Sequence, residues 1–130
     1  MTLPEALPIA VITRFIGWFR DFGIPVGEVT ACAETMEIIR EAIAEVEAVA
    51  RAKGIAMDAD VVEKTMAFIK GMDAGVTSSM QRDVEAGRRL EIEALSGTVL
   101  RCGKELGIPT PAHRFIYAML KPADAKASKT

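Results

Sequence analysis

The stretch from Thr77 to Leu120 reads TSSMQRDVEAGRRLEIEALSGTVLRCGKELGIPTPAHRFIYAML and decides the fold. It divides into a short helix that Ser78 and Ser79 can cap, a helix from Glu91 to about Leu106, and a last helix that begins at Pro111. Gly107-Ile108-Pro109-Thr110-Pro111 separates the last two: glycine ends a helix, Thr110 caps the next one and Pro111 takes its first position. The apolar residues that recur at helical spacing are Ile92, Leu95, Val99 and Leu106, followed by Phe115, Ile116, Met119 and Leu120.

The rest of the chain is also punctuated by glycine and proline in the manner of a helical protein. Helices are predicted over about residues 4–21, Glu34–Lys53 and Val61–Lys70, with a connection between Gly27 and Thr30. No segment alternates with a period of two, which disfavours strands. The sequence therefore predicts an all-α, compact multi-helix domain.

Length and composition exclude several classes of protein. A chain of 130 residues with a net charge of -2 fits one globular domain and lacks the basic surface that nucleic acid needs. Cys32 and Cys102 stand alone without metal-ligand spacing and are interpreted as small buried hydrophobic residues of a protein in the reducing cytoplasm. No apolar run spans a membrane.

Two surface patterns are ambiguous. Apolar residues between Ile9 and Phe19 cover half of a helical wheel, which fits packing within the domain or against a second copy better than a membrane-surface helix. Glu37, Glu41 and Glu45 follow one helical row beside Arg40, and we interpret them as solvent-facing rather than as a metal site.

The order of the Ser-Ser-Met turn, Asp83, Ala86-Gly87-Arg88, the segment Glu91 to Leu95 and Gly107 to Pro111 resembles the closing segment of the ketopantoate reductase family. These are NADPH-dependent 2-dehydropantoate 2-reductases of pantothenate biosynthesis, and the resemblance continues more weakly back to about Thr13. It implies a C-terminal helical substrate and dimerisation domain of the kind also found in 6-phosphogluconate dehydrogenase-like proteins. We expect this domain to cover residues 1–121, with a disordered tail over residues 122–130, and to form a homodimer.

The resemblance also implies site residues. Ser79 matches a serine whose hydroxyl reaches the substrate, although capping a helix would explain it equally well. Glu91 matches an acid near the nicotinamide and the substrate, and an acid in a first helical turn is favourable in any case. His113, the only histidine, is interpreted as a surface or capping residue rather than an acid or base.

Parts of the complete enzyme are missing from this sequence. Glycine-rich GxGxxG turns, which hold a dinucleotide in a Rossmann domain, do not occur. Relatives carry a catalytic lysine early in the helical domain and asparagines that hold the keto acid, whereas the first lysine here is Lys53 and asparagine is absent. We therefore expect no catalytic residue, no cofactor bound by the chain alone, and NADPH only where a separate Rossmann chain completes it. The alternatives are a self-associating interaction module and a small-acid sensor that uses Ser79 and Glu91.

Overall fold

The computed structural model describes residues 3–71 and 92–128, and every regular element in these ranges is a helix. The prediction of an all-α domain is confirmed. The helices are α1 (Leu3–Asp21), α2 (Val26–Ala31), α3 (Ala33–Ala52), α4 (Val61–Lys70), α5 (Ile92–Leu106) and α6 (Pro111–Ser128).

Helix α3 lies at the centre and contacts each of the other five helices. Its buried residues recur at steps of three and four, so one wide face is apolar: Ile39, Ala42, Ile43, Val46, Val49 and Ala50. Ile39 and Ile43 are almost completely shielded, and burying an aliphatic side chain of this size contributes about 1.5–3 kcal/mol. The core is therefore organised around this helix.

The apolar face of α1 is covered by the domain itself. Val11, Ile12 and Phe15 are 0–2 % exposed and belong to the main core cluster. Packing within the domain is therefore observed for these three residues. The aromatic residues near the end of α1 are less covered, and Phe22 is 69 % exposed.

Three glycines mark the ends of helices as the sequence predicts, with φ near +80° at Gly23 and Gly54 and +71° at Gly107. The connection expected at Gly27 to Thr30 is instead part of the short helix α2. Pro25 precedes this helix with φ at -70°, and its carbonyl accepts the amide of Glu28 at 3.0 Å. The fixed φ of Pro25 thus favours the first turn of a helix in a segment that was expected to be a connection.

Helix α6 begins on the carboxylate of Glu45, which comes from α3. Glu45 Oε2 accepts the Ala112 amide at 2.8 Å, and Oε1 accepts the His113 amide at 3.0 Å. Thr110 and Pro111 occupy the positions expected of them, but Glu45 provides the side-chain cap that Thr110 was expected to provide. The interpretation of Glu45 as solvent-facing is therefore wrong, because it is only 9 % exposed and these partners compensate its burial.

His113 is fully buried, which also corrects its assignment to the surface. Its Nδ1 lies 2.8 Å from Glu45 Oε1. A carboxylate in this network can only accept, so Nδ1 carries the proton. His113 therefore holds α6 against α3 through both its backbone and its ring.

Helices α5 and α6 run antiparallel and make the most extensive helix contact among the described residues. Ile92, Leu95 and Val99 are buried as predicted, as are Ile116 and Leu120 on the facing helix. Leu106 is 39 % exposed and Phe115 53 % exposed, so the predicted apolar stripes are wider than the buried face.

The last helix continues through Pro122 to Ser128, where a disordered tail was expected from residue 122 onwards. Asp124 explains the difference, because its Oδ2 accepts the amide of Ile92 at 2.6 Å and its Oδ1 pairs with Arg14. The end of α6 is thereby tied to both α5 and α1.

Replacing Glu45 with glutamine should destabilise the domain by roughly 2–4 kcal/mol. The glutamine NH₂ group would face the backbone amides of Ala112 and His113, which now donate to the carboxylate. Urea unfolding measures the loss. Glu41→Gln is the matched control on the same helix, and since Glu41 is exposed, its effect should stay within about 0.5 kcal/mol. Equal effects of the two substitutions would contradict the capping role.

A methyl group at Gly103 would lie 2.8 Å from Thr110 Cγ2 and 2.9 Å from the Ile108 carbonyl oxygen. Gly103→Ala should therefore destabilise the fold by about 1–3 kcal/mol, since backbone would have to move. Gly17→Ala is the control, because its nearest contact is 3.9 Å away, and it should stabilise α1 by about 0.5–1 kcal/mol. Thermal and urea unfolding of both variants test whether Gly103→Ala lowers the free energy of unfolding while Gly17→Ala raises it.

Candidate functional site

The two residues expected to bind substrate, Ser79 and Glu91, lie outside the described residues. The described chain resumes at Ile92, directly after Glu91. The structure therefore shows what holds the segment next to Glu91, and leaves the roles of Ser79 and Glu91 as predictions.

The backbone next to Glu91 is anchored by α1 and α6 together. Asp124 Oδ2 accepts the amide of Ile92 at 2.6 Å, and its other oxygen forms an ion pair with Arg14. The Arg14 side chain is 22 % exposed and that of Asp124 12 %. A carboxylate that accepts an amide at the start of a helix also interacts favourably with the helix dipole. Three helices thus meet at this point.

The cation that α1 supplies here is an arginine. A guanidinium group stays protonated in proteins, so Arg14 can neutralise and orient a carboxylate but cannot hand over a proton as a lysine can. The first lysine of the sequence, Lys53, follows α3 and lies 3.4 Å from Cys102 Sγ. The first lysine therefore follows α3, whereas the family resemblance implies a lysine earlier in the helical domain.

A second polar cluster joins α5 and α6 through Glu93. Its Oε2 accepts Lys121 Nζ at 2.7 Å and the Tyr117 hydroxyl at 2.5 Å, and its Oε1 accepts Arg101 Nη1 at 2.7 Å. The hydrogen bond from Lys121, then that from Tyr117, lowers the pKa of Glu93 to about 2. The same bond from Lys121 raises the pKa of that lysine. The sequence pattern alone does not indicate that Glu93 joins the two helices.

His113 takes part in neither cluster. Its partner is Glu45, and its Nε2 is buried with no hydrogen-bond partner among the described residues. Full burial of the ring and its contact with Glu45 suit a packing and anchoring role. The interpretation that His113 is not an acid or base stays a prediction.

Neither a metal site nor a membrane-spanning helix occurs in the ranges that the structure describes. No group of three or more histidine, cysteine, aspartate or glutamate side chains there could hold a metal ion. None of the helices in residues 3–71 and 92–128 is long and apolar enough to cross a membrane. Cys32 and Cys102 are free thiols and half-buried, so the expectation that both are buried is wrong.

The stability of the domain should fall in acid through Glu93. Its pKa is about 2 in the folded chain against 4.5 for a free glutamate, so its contribution is fully present above pH 4.5 and is lost as the pH falls towards 2. Urea unfolding of the natural chain and of Glu93→Gln should therefore differ at neutral pH and converge in acid. A difference that stays constant down to about pH 2.5 contradicts the assignment.

Comparison with known proteins identifies the domain. The model of the ketopantoate reductase PanE/ApbA C-terminal domain matches residues 22–124. The 2-dehydropantoate 2-reductase of Caulobacter vibrioides is 33 % identical over 87 residues, which are 67 % of this chain and 30 % of the relative. The enzyme of the same name from Vibrio cholerae is 32 % identical over 96 residues, 74 % of this chain and 32 % of its own length.

A solved structure shows the same fold. The PanE/ApbA family ketopantoate reductase of Ralstonia eutropha JMP134 superposes with a TM-score of 0.73 at 28 % identity, and the match covers 95 % of this chain and 41 % of the other. The chain thus spans about a third of the length of the curated relatives it matches. By fold and by sequence, the chain belongs to the ketopantoate reductase family and corresponds to its C-terminal domain.

Proposed function

We propose that this chain is the substrate-binding and dimerisation domain of an NADPH-dependent oxidoreductase that reduces a small keto acid. The family match over residues 22–124 carries the proposal. Ser79 and Glu91 are the proposed substrate-binding residues, and Glu91 also lies beside the nicotinamide in this proposal. The anchoring of Ile92 by Asp124 and Arg14 supports it, because a rigid support next to Glu91 suits a residue that must be held against a ligand.

The nucleotide half is proposed to come from elsewhere. The match covers 30–32 % of the two curated relatives, and this sequence has no glycine-rich turn to bind a pyrophosphate. A Rossmann domain is therefore the proposed partner of this domain, and NADPH is proposed to bind only where such a domain completes it.

The chain alone is proposed to be inactive. Helix α1 contains neither lysine nor asparagine, and its Arg14 is committed to Asp124. Loss of a general acid typically lowers a rate by about 10²–10⁴-fold. Without a bound hydride donor as well, no turnover is expected.

The assay is NADPH oxidation in the presence of ketopantoate. We expect the pure chain to show no ketopantoate-dependent oxidation and no change in NADPH fluorescence. Adding the part of the Caulobacter vibrioides reductase that this chain does not match should restore nucleotide binding, with turnover at least about 10²-fold below that of the intact Caulobacter enzyme. Ketopantoate-dependent oxidation by the pure chain contradicts the proposal of inactivity.

We also propose that the chain forms a homodimer. Self-association is shared by the main proposal and by the alternative, a stand-alone interaction module. Phe22 and Phe115 are 69 % and 53 % exposed, and burial of either ring against a second copy would be favourable. Sedimentation equilibrium should show a homodimer that is weakened by Phe22→Ser or Phe115→Ser, with Ile55→Ser as an exposed apolar control. A monomer over the whole micromolar range contradicts the proposed homodimer and the self-associating module alike.

A further inference from the structure

A cleft of about 250 Å³ opens between α1, α3 and α5. Its walls are almost entirely apolar and include Leu7, Val46, Val49 and Val99. Clefts for drug-sized ligands hold about 300–1,000 Å³, so this one suits a short apolar chain. The polar groups at its edge decide which end of such a molecule is recognised.

Two reactive groups from different helical regions meet at this edge. Lys53 Nζ lies 3.4 Å from Cys102 Sγ, across 49 residues of sequence, and both residues line the cleft. Lys53 is exposed and Cys102 is half-buried, so the ammonium group can meet solvent and ligand while the sulfur faces the apolar walls. A nucleophile, a cation and an apolar cavity thus occupy one place.

The other cysteine has the opposite surroundings. Cys32 Sγ lies 3.7 Å from Glu34 Oε2, and Cys32 is half-buried like Cys102. A neighbouring ammonium group stabilises negative charge that develops during a reaction at sulfur, whereas a carboxylate opposes it. The chain therefore contains its own control for the effect of the Lys53 contact.

We propose that Cys102 and Lys53 form a covalent capture site for small apolar α,β-unsaturated carbonyl compounds. The alkyl chain lies in the cleft, and the carbonyl oxygen lies at the Lys53 ammonium group. The Cys102 sulfur bonds to the β-carbon while the electron pair of the carbon-carbon double bond moves towards the carbonyl oxygen. The resulting enolate is stabilised by Lys53 and takes up the thiol proton at the α-carbon. The net change is addition of S–H across the double bond, with no oxidant and no leaving group.

The test compares adduct formation at the two cysteines of the folded chain by peptide mass spectrometry. With trans-2-octenal as the probe, Cys102 should react at least about tenfold faster than Cys32, and this preference should disappear when the chain is unfolded in urea. Crotonaldehyde, which has the same reactive group on a shorter chain, should show a smaller preference because it fills less of the cleft. Equal rates at the two cysteines of the folded chain overturn the proposal.

Substitutions distinguish an effect of the Lys53 charge from an effect on folding. Lys53→Met keeps most of the stem and removes the cation, so it should slow adduct formation at Cys102 about tenfold without changing Cys32. Lys104→Met is the matched control, since Lys104 is an exposed cation on α5 that does not line the cleft. Circular dichroism of both variants shows whether each is folded. A folded Lys53→Met chain that reacts as fast as the natural chain overturns the role of Lys53, and an octenal preference no larger than that for crotonaldehyde overturns the role of the cleft.

Discussion

The arrangement of the helices depends on one buried carboxylate. Glu45 of the central helix α3 is 9 % exposed and accepts two amides at the start of α6 together with the His113 ring. A buried charge without such partners would cost several kcal/mol, so α3 and α6 are stable only in the register that brings the partners together. Asp124, further along α6, then fixes the start of α5 and reaches Arg14 on α1. Each of these carboxylates fixes the position of the next helix by accepting amides at its start.

Periodicity was sufficient for the helices but not for these contacts. The stripes of α1, α3 and α5 were predictable because a wide apolar face at helical spacing has to be buried somewhere. The pattern predicts an exposed Glu45 because this residue stands beside the stripe in a row with exposed glutamates, whereas its partners are 67 and 68 residues away. The pattern also predicts that Leu106 and Phe115 are buried, although both are exposed. It shows which residues are apolar but not how far the neighbouring helix reaches.

The candidate site was less predictable than the fold. Ser79 and Glu91 were proposed from a family resemblance in the order of several motifs, and local chemistry alone allowed helix capping equally well. The contact of Lys53 with Cys102 joins two residues that the sequence presents as an ordinary lysine and an isolated cysteine. A site formed by two residues that are far apart in sequence can be recognised only from the packing of the helices that carry them.

The stabilising contacts and the expected chemistry are separable in this domain. Within residues 3–71 and 92–128, the capping carboxylates, the Glu93 cluster and the core around α3 all find their partners inside the chain. None of these contacts uses a nucleotide or a keto acid. Folding therefore places no demand on a catalytic lysine or a substrate-holding asparagine, and a sequence without them keeps the fold of its family at no cost in these contacts. The fold therefore identifies the family, whereas turnover depends on the particular residues of the site.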